Sequence, residues 1–305
     1  MGEMTHSQWR PADPDATEEE LAEAEREKEA ANRRFGAAMT LLEARGYRAP
    51  KGQGNNPTGL FFRESTFEYV SRHPRVGVGR TPPTNVVLRL RNGPRREIAT
   101  EAFHDSFCSR HTREEEADTR TALADKVKVK LGRDPENRGK ALICMGDTNG
   151  YPMPAGEVIP PVDWDSEAIT DHSHRWHRAA KQPDGSWASH TYLDEAMSEC
   201  RMWDPARYAA RKHGQINALD PTSGHGPNAV GQGGPQRIIR GYTDPWVVQA
   251  ILEVNVIKMH GITDHHLLEY VMSYRKFCEA LERSFEPMPS WMSVAHSSAR
   301  WAPAA

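Results

Sequence analysis

Apolar positions recur at helical spacing near both ends of the chain and at strand spacing between them. Leu21, Ala24, Phe35, Ala38, Met39 and Leu42 follow a helical repeat. It opens at Thr17 with Glu20 three residues on, the spacing of a capping box, and Gly46 is its expected stop. A short apolar element spans 60–70. Val86 to Arg91 alternates as a strand would and runs into Asn92-Gly93, with residues 96–100 returning as a second strand. Thr112 and Glu115 form a second capping-box pair, which predicts a helix to Leu131, and 141–145 reads as a buried strand. Further helices are predicted near 165–180, 190–202 and 205–213.

The last pattern is the strongest. Thr243-Asp244-Pro245 reads as a cap with proline at the first helical position, and Trp246, Val247, Ala250, Ile251, Val254 and Ile257 fall on one helical face. Gly261 stops that run. Leu267, Leu268, Val271, Tyr274, Phe277 and Leu281 repeat it. The expectation is a C-terminal helical hairpin whose wide apolar stripe serves as core or as a packing face. Its acidic second helix suits a DNA groove poorly.

These elements predict an α+β protein, mainly helical, with an N-terminal layout that allows a winged helix. The divisions expected are a loose arm at 1–16, a part at 17–150 with the charged helix and an arginine-rich segment, and a linker at 151–161 with four prolines. A helical part at 162–285 follows, then a tail at 286–305. Residues 214–244 are rich in glycine, proline, asparagine and serine. A run of that length without a pattern reads as a binding loop or an arm.

Composition makes the picture more polar. Of 305 residues 37% are hydrophobic, and the mean hydropathy is −0.74. A modest core with long surface loops follows. No apolar stretch approaches the roughly 20 residues of a membrane span, and Met1 to Arg10 lacks a signal-peptide core. A soluble protein is expected, in the cytoplasm or within a virus-like particle, with no membrane partner. The four cysteines form no CxxC pair, as in a reduced compartment.

Charge raises the functional question. Val70 to Arg96 carries Arg72, Arg75, Arg80, Arg89, Arg91, Arg95 and Arg96 and no acidic residue, although the whole chain has a net charge of −3. Such a run needs a counter-charge. If it is phosphate, the chain is a non-enzymatic nucleic-acid-associated protein, regulatory or architectural, gripping the backbone chiefly with Arg89, Arg91, Arg95 and Arg96. If it is the seven glutamates between Glu18 and Glu29, on this copy or the next, the alternative is a structural subunit of a homo-oligomeric or virus-like assembly. Nucleic acid and further copies of the chain are the partners expected.

Sites for chemistry are fewer. Asp171-His172-Ser173-His174-Arg175-Trp176-His177 places His174 and His177 on one helical face with Asp171 a turn earlier, a spacing that suits a divalent metal. That set is the basis of a third reading, a metal-dependent hydrolase; no other cofactor is expected. A polar surface helix with local hydrogen bonds is the plainer interpretation. His104 and Cys108 have i, i+4 spacing, as an activated thiol would need, with no third group in sequence to orient them. Gly224 to Gly234 resembles a phosphate-cradling run, but no strand leads into it and no lysine follows, so it reads as linker. His265 and His266 are expected at a helix start, neutral and exposed.

Overall fold

A computed structural model describes residues 2–3, 16–49, 52–53, 57–73, 79–127, 139–259 and 263–283. Its centre is a five-stranded mixed sheet in the order β10-β7-β6-β5-β4, formed by β4 (Phe67–Arg72), β5 (Thr84–Leu90), β6 (Glu97–His104), β7 (Ala141–Asp147) and β10 (Ile239–Thr243). Only β6 and β7 run parallel, with His104 in register with Asp147. The crossover between them carries helix α2 (Arg110–Val127), as a parallel pair requires. β7 joins its neighbours on both edges, and Ala141, Leu142 and Cys144 along it are fully buried. That double burial explains why it reads as an unbroken apolar run.

One face of this sheet is covered by a second sheet, β1 (Gly2–Glu3), β3 (Thr58–Phe62) and β2 (Arg45–Arg48). Leu60 and Phe62 pack there on Val86, Leu88 and Ala102. Helix α1 (Glu18–Leu41) leads into it and has the expected capping box at Thr17 and Glu20. Gly46 lies inside β2 rather than at a helix end. A Cβ there would stand 2.5 Å from Met39 Sδ and 2.6 Å from Phe35 Cζ, so glycine lets the strand pass close beneath the helix.

On the opposite face α2 and α4 (Tyr192–Glu199) share a core with Phe103, Leu142, Tyr242 and Trp246. Between β7 and α4 lie α3 (His172–Arg178) and the small hairpin β8 (Ala179–Lys181) and β9 (Trp187–Ser189). Helix α5 (Pro205–His213) packs on the final hairpin through Ala206, Ala209, Ile251, Val254 and Leu268.

The mainly helical expectation is therefore corrected to α/β, and neither a winged helix nor a C-terminal helical hairpin is formed. Residues 251–257 and 267–272 are antiparallel strands β11 and β12. Helical and extended readings share several apolar positions in a run this short. Ile251, Val254, Val256 and Ile257 are β-branched, and packing against α5 decides in favour of the strand. Only Val247–Ala250 and α6 (Tyr274–Glu282) keep helical turns from that prediction. Asp244 does cap the first of these: Oδ1 accepts from Trp246 N at 2.9 Å and from Val247 N at 3.0 Å. Its Oδ2 accepts from Leu142 N at 2.8 Å and ties the turn to β7.

The arginine segment is folded into the sheet. Arg89 stands in register with Glu68 on β4 and Glu97 on β6, and its guanidinium lies 2.9 Å and 3.5 Å from their carboxylates. Arg96 is buried and donates to the carbonyls of Gly139 (2.5 Å) and Arg283 (2.7 Å). Arg91 Nε donates to the Glu64 carbonyl at 2.6 Å, and Arg72 donates to the Arg48 carbonyl. The Arg80 guanidinium lies over the Phe107 ring, and Arg95 is exposed. Arg75 lies outside the described residues. For Arg89 the counter-charge comes from neighbouring strands, a cross-strand arrangement that needs no external phosphate. Glu23, Glu25 and Glu29 of α1 pair within their own helix, with Arg26, Lys28 and Arg33.

Candidate active site

The carboxyl ends of β6 and β7 open on a cleft, the place where α/β sheets commonly bind ligands. His104 and Asp147 end the two strands. His104 Nε2 lies 3.6 Å from Asp147 Oδ2. The third member arrives from the far end of the chain: His265, on the turn before β12, also places its Nε2 3.6 Å from Asp147 Oδ2. The Asp264 carboxylate stands on its other side at 3.7 Å. Two imidazoles thus converge on one carboxylate oxygen. The side chains of Asp147, His104 and His265 are 7%, 19% and 29% exposed, and His265 lines the cleft.

The turn after β7 is held by side chains. Asn149 N–H donates to Asp147 Oδ1 at 2.7 Å, and its Nδ2 donates to the Asp105 carbonyl at 2.8 Å. Asn149 has φ 44°, a left-handed conformation that asparagine tolerates better than most residues. Arg178, from the end of α3, donates to the Asn149 carbonyl. Thr148 Oγ1 donates to the Ile238 carbonyl at 2.9 Å and accepts from Arg240 Nη2 at 3.0 Å.

Two buried ion networks stiffen this region. Below His104, Arg120 Nε donates to Glu101 Oε1 and Nη2 to Asp105 Oδ1, both at 2.7 Å. Burial pushes the Asp105 carboxyl above its ordinary range against the pull of Arg120. Behind the Thr148 turn, Arg207, Arg237 and Arg240 meet Glu157, Asp194 and Asp204. Burial disfavours the charge on Asp194, but Arg207 and Arg240 outweigh it and hold the carboxyl below the usual range. Charges this deep need both partners, which makes the networks rigid mounts.

Across from Asn149, residues of the glycine-rich stretch wall a cleft of about 300 Å³, whose lining also includes His174, Arg178, Asp264 and His265. The stretch is ordered structure, not linker. Gly224 lets its two arms approach, since a Cβ there would meet the Gly234 carbonyl at 2.4 Å.

The predicted metal set is only partly assembled. His174 lines the cleft with its ring against Trp164, and burial together with Arg178 pushes it down to about 4, so it is neutral near pH 7. Asp171 caps α3, accepting from His174 N at 2.8 Å, and its other oxygen accepts from Gln232 Nε2 at 2.9 Å. His177 contributes its carbonyl to Arg113. Among the described residues, no group of three or more His, Cys, Asp or Glu side chains is placed to hold a metal ion.

The thiol reading also fails. Cys108 lies 3.8 Å from Ser106 Oγ, while His104 faces Asp147. Sequence reasoning missed Asp147, Asn149 and His265. A polar Gly-Asp-Thr-Asn-Gly cluster directly after a buried strand was the available signal, whereas His265 was hidden by the mistaken helix.

No family model and no curated protein matches the sequence. Among solved structures the chain is similar to a 3′–5′ exonuclease from Neisseria meningitidis, with 13% identity over 78% of this chain and 83% of that one and a TM-score of 0.49. It is also similar to an AP endonuclease from Archaeoglobus fulgidus, with 11% identity, 79% and 84% coverage and a TM-score of 0.49. A third is the catalytic domain of human Nocturnin with bound sulfate, at 11% identity, 78% and 76% coverage and a TM-score of 0.41. In this chain Arg72, Arg89, Arg91 and Arg96 of the arginine segment are bound to carboxylates or carbonyls of the fold, and a cleft gathers acid, imidazole and guanidinium groups. The expectations of a non-enzymatic nucleic-acid-associated protein and of an assembly subunit are corrected accordingly. No helix among the described residues is long and apolar enough to cross a membrane.

Proposed function

We propose that the chain is a hydrolase of phosphate esters, with nucleotides or nucleic acid as substrate. The observation that carries this reading is the convergence of His104 Nε2 and His265 Nε2 on Asp147 Oδ2, each at 3.6 Å, at the edge of a cleft that also holds Arg178. Each gap is longer than a direct hydrogen bond, which leaves the carboxylate and the imidazoles able to take up a water from the cleft beside them. Water held there attacks phosphorus as one imidazole takes its proton. The P–O ester bond breaks, and the second imidazole, as its cation, protonates the departing oxygen. Arg178 faces the phosphoryl oxygens and offsets their charge. Asp147 keeps both rings oriented.

A carboxylic ester is a poorer fit. Acyl transfer calls for a hydroxyl or thiol paired with the base. The one hydroxyl among the serines of the cleft lining, Ser223 Oγ, donates to the Gln236 carbonyl at 3.2 Å.

The test is hydrolysis of bis-p-nitrophenyl phosphate, p-nitrophenyl phosphate and end-labelled DNA, with and without added magnesium, with p-nitrophenyl acetate as control. Asp147→Asn and His265→Gln should each lower phosphate-ester turnover by about 100-fold or more while melting like the wild type. Turnover of the acetate alone, or phosphate-ester turnover that survives both substitutions, would refute the assignment.

A further inference from the structure

His225 and His266 lie parallel, with ring centroids 4.1 Å apart and planes 16° apart. His266 is buried and belongs to the turn that carries His265, and its N–H donates to the Thr222 carbonyl at 2.8 Å. His225 is exposed and lines the cleft. A flat ring is thus backed by a second, fixed ring on the segment that supplies a catalytic imidazole.

The surroundings of His225 suit a planar heterocycle. Asn228, Gln232 and Gln236 line the same cleft and offer amide donors and acceptors. At about 300 Å³ the space is at the small end of ligand-sized clefts. A second hollow of about 640 Å³ shares Pro227, Asn228 and Gln232 with the first, so the surface continues past the loop towards Thr170 and Ser173. Gly226 lines the cleft, and a Cβ there would meet nothing within 4 Å, so a ligand can pass close to the backbone.

We infer that His225 is the stacking residue for an unpaired nucleobase, and that the 223–236 loop selects a single-stranded nucleotide for the adjacent site. The inference rests on the phosphate-ester reading and specifies its substrate. With the base against His225, the phosphate lies towards His265 and Arg178 and the strand leaves over Pro227 and Asn228. Stacking on a ring is tolerant of base identity, so the loop recognises strandedness more than sequence.

Binding tests this without relying on turnover. A trinucleotide with central 2-aminopurine should bind the full chain with quenching of its fluorescence, and the same trinucleotide with an abasic centre should bind about ten-fold more weakly in competition. His225→Ala should remove that difference, and His225→Phe should retain it. Where turnover is measured, the ratio of kcat/KM for a nucleoside p-nitrophenyl phosphate over methyl p-nitrophenyl phosphate should fall about ten-fold in His225→Ala and stay within about two-fold in His225→Phe. Equal binding of the abasic and base-bearing strands overturns the inference, as does no binding of either or the same loss of both in His225→Ala. Quenching without turnover leaves the stacking site standing and removes the hydrolase; turnover without base preference does the reverse.

Discussion

Asp171 and Gln232 join the two sides of the cleft: the Asp171 Oδ2 accepts from Gln232 Nε2 at 2.9 Å, while its backbone N–H donates to the Gly231 carbonyl at 3.1 Å. Its remaining oxygen caps α3. The residue picked out from its spacing as a metal ligand is therefore a latch between α3 and the glycine-rich loop. The bonds from Gln232 and from His174 N hold its carboxyl below the usual range, so the latch survives mild acid and is lost as pH falls through that lowered value.

Gln232→Ala should raise amide exchange across 224–234 with little change in melting. Asp171→Ala should do the same and also lose the cap, about 1 kcal/mol. Hydrogen exchange with mass spectrometry reads both, and unchanged protection of the loop in both variants would dismiss the latch.

Stability should depend on pH between about 4 and 7. Burial pushes His174 and His190 down to about 4 each, whereas in the unfolded chain they titrate near 6.5. Over that interval the unfolded chain binds more protons, so the histidines make the fold weaker as pH drops from about 6.5 towards 4. Glu116 acts in the opposite sense. Burial and nearby Asp105 push its carboxyl up to about 7, so its contribution is complete below about pH 4.5 and is lost as pH rises through 7. The urea midpoint at pH 7 minus that at pH 5 should fall and turn negative in His174→Gln/His190→Gln relative to the wild type, and should rise in Glu116→Gln. The reverse order would show that these groups are not buried in the stated protonation states.

Two arginines adjacent in sequence should behave differently. Arg96→Ala strips the buried Gly139 carbonyl and the half-buried Arg283 carbonyl of their donor and should lower stability by about 1–3 kcal/mol. Arg95 is exposed, and Arg95→Ala should change stability by less than about 0.5 kcal/mol. Equal effects in denaturant titrations would mean that the segment is not folded into the sheet as described.

Gly146→Ala tests the parallel pair itself. A Cβ at 146 would lie 1.9 Å from the Phe103 carbonyl oxygen and 2.7 Å from its carbon, with backbone on the contacting side. One methyl group should separate β6 from β7 and cost about 4 kcal/mol or more. Hydrolysis should be lost with it, because His104 and Asp147 sit one residue beyond the clash. A soluble, active Gly146→Ala enzyme would contradict the register.

Legibility in the sequence followed the locality of the information. The Thr17–Glu20 capping box, the 86–100 hairpin, the strand from Ala141 and the helix from Pro205 depend on neighbours a few residues apart, and all are present. The final hairpin was misread because its apolar spacing fits two periods and only α5 distinguishes them. Arg89 looked uncompensated because Glu68 and Glu97 flank the arginine run in sequence and meet it only across strands. The site was the least legible part. His104, Asp147 and His265 belong to three separate stretches, and no spacing rule links them. His174 was found through its sequence neighbourhood, and Asp171, expected beside it, bonds the His174 N–H and the Gln232 side chain.

The same dispersion has a consequence for biosynthesis. A nascent chain can pair β4, β5 and β6 and then add β7 in order of emergence, but it holds only two thirds of the His–Asp–His group until the turn before β12 has left the ribosome. Residues 263–266 also bring His266, on which His225 rests. Any fragment that stops short of them can fold much of its sheet and still be inert. On the proposed phosphate-ester reading, activity is silent until that turn emerges and then switches on in one step.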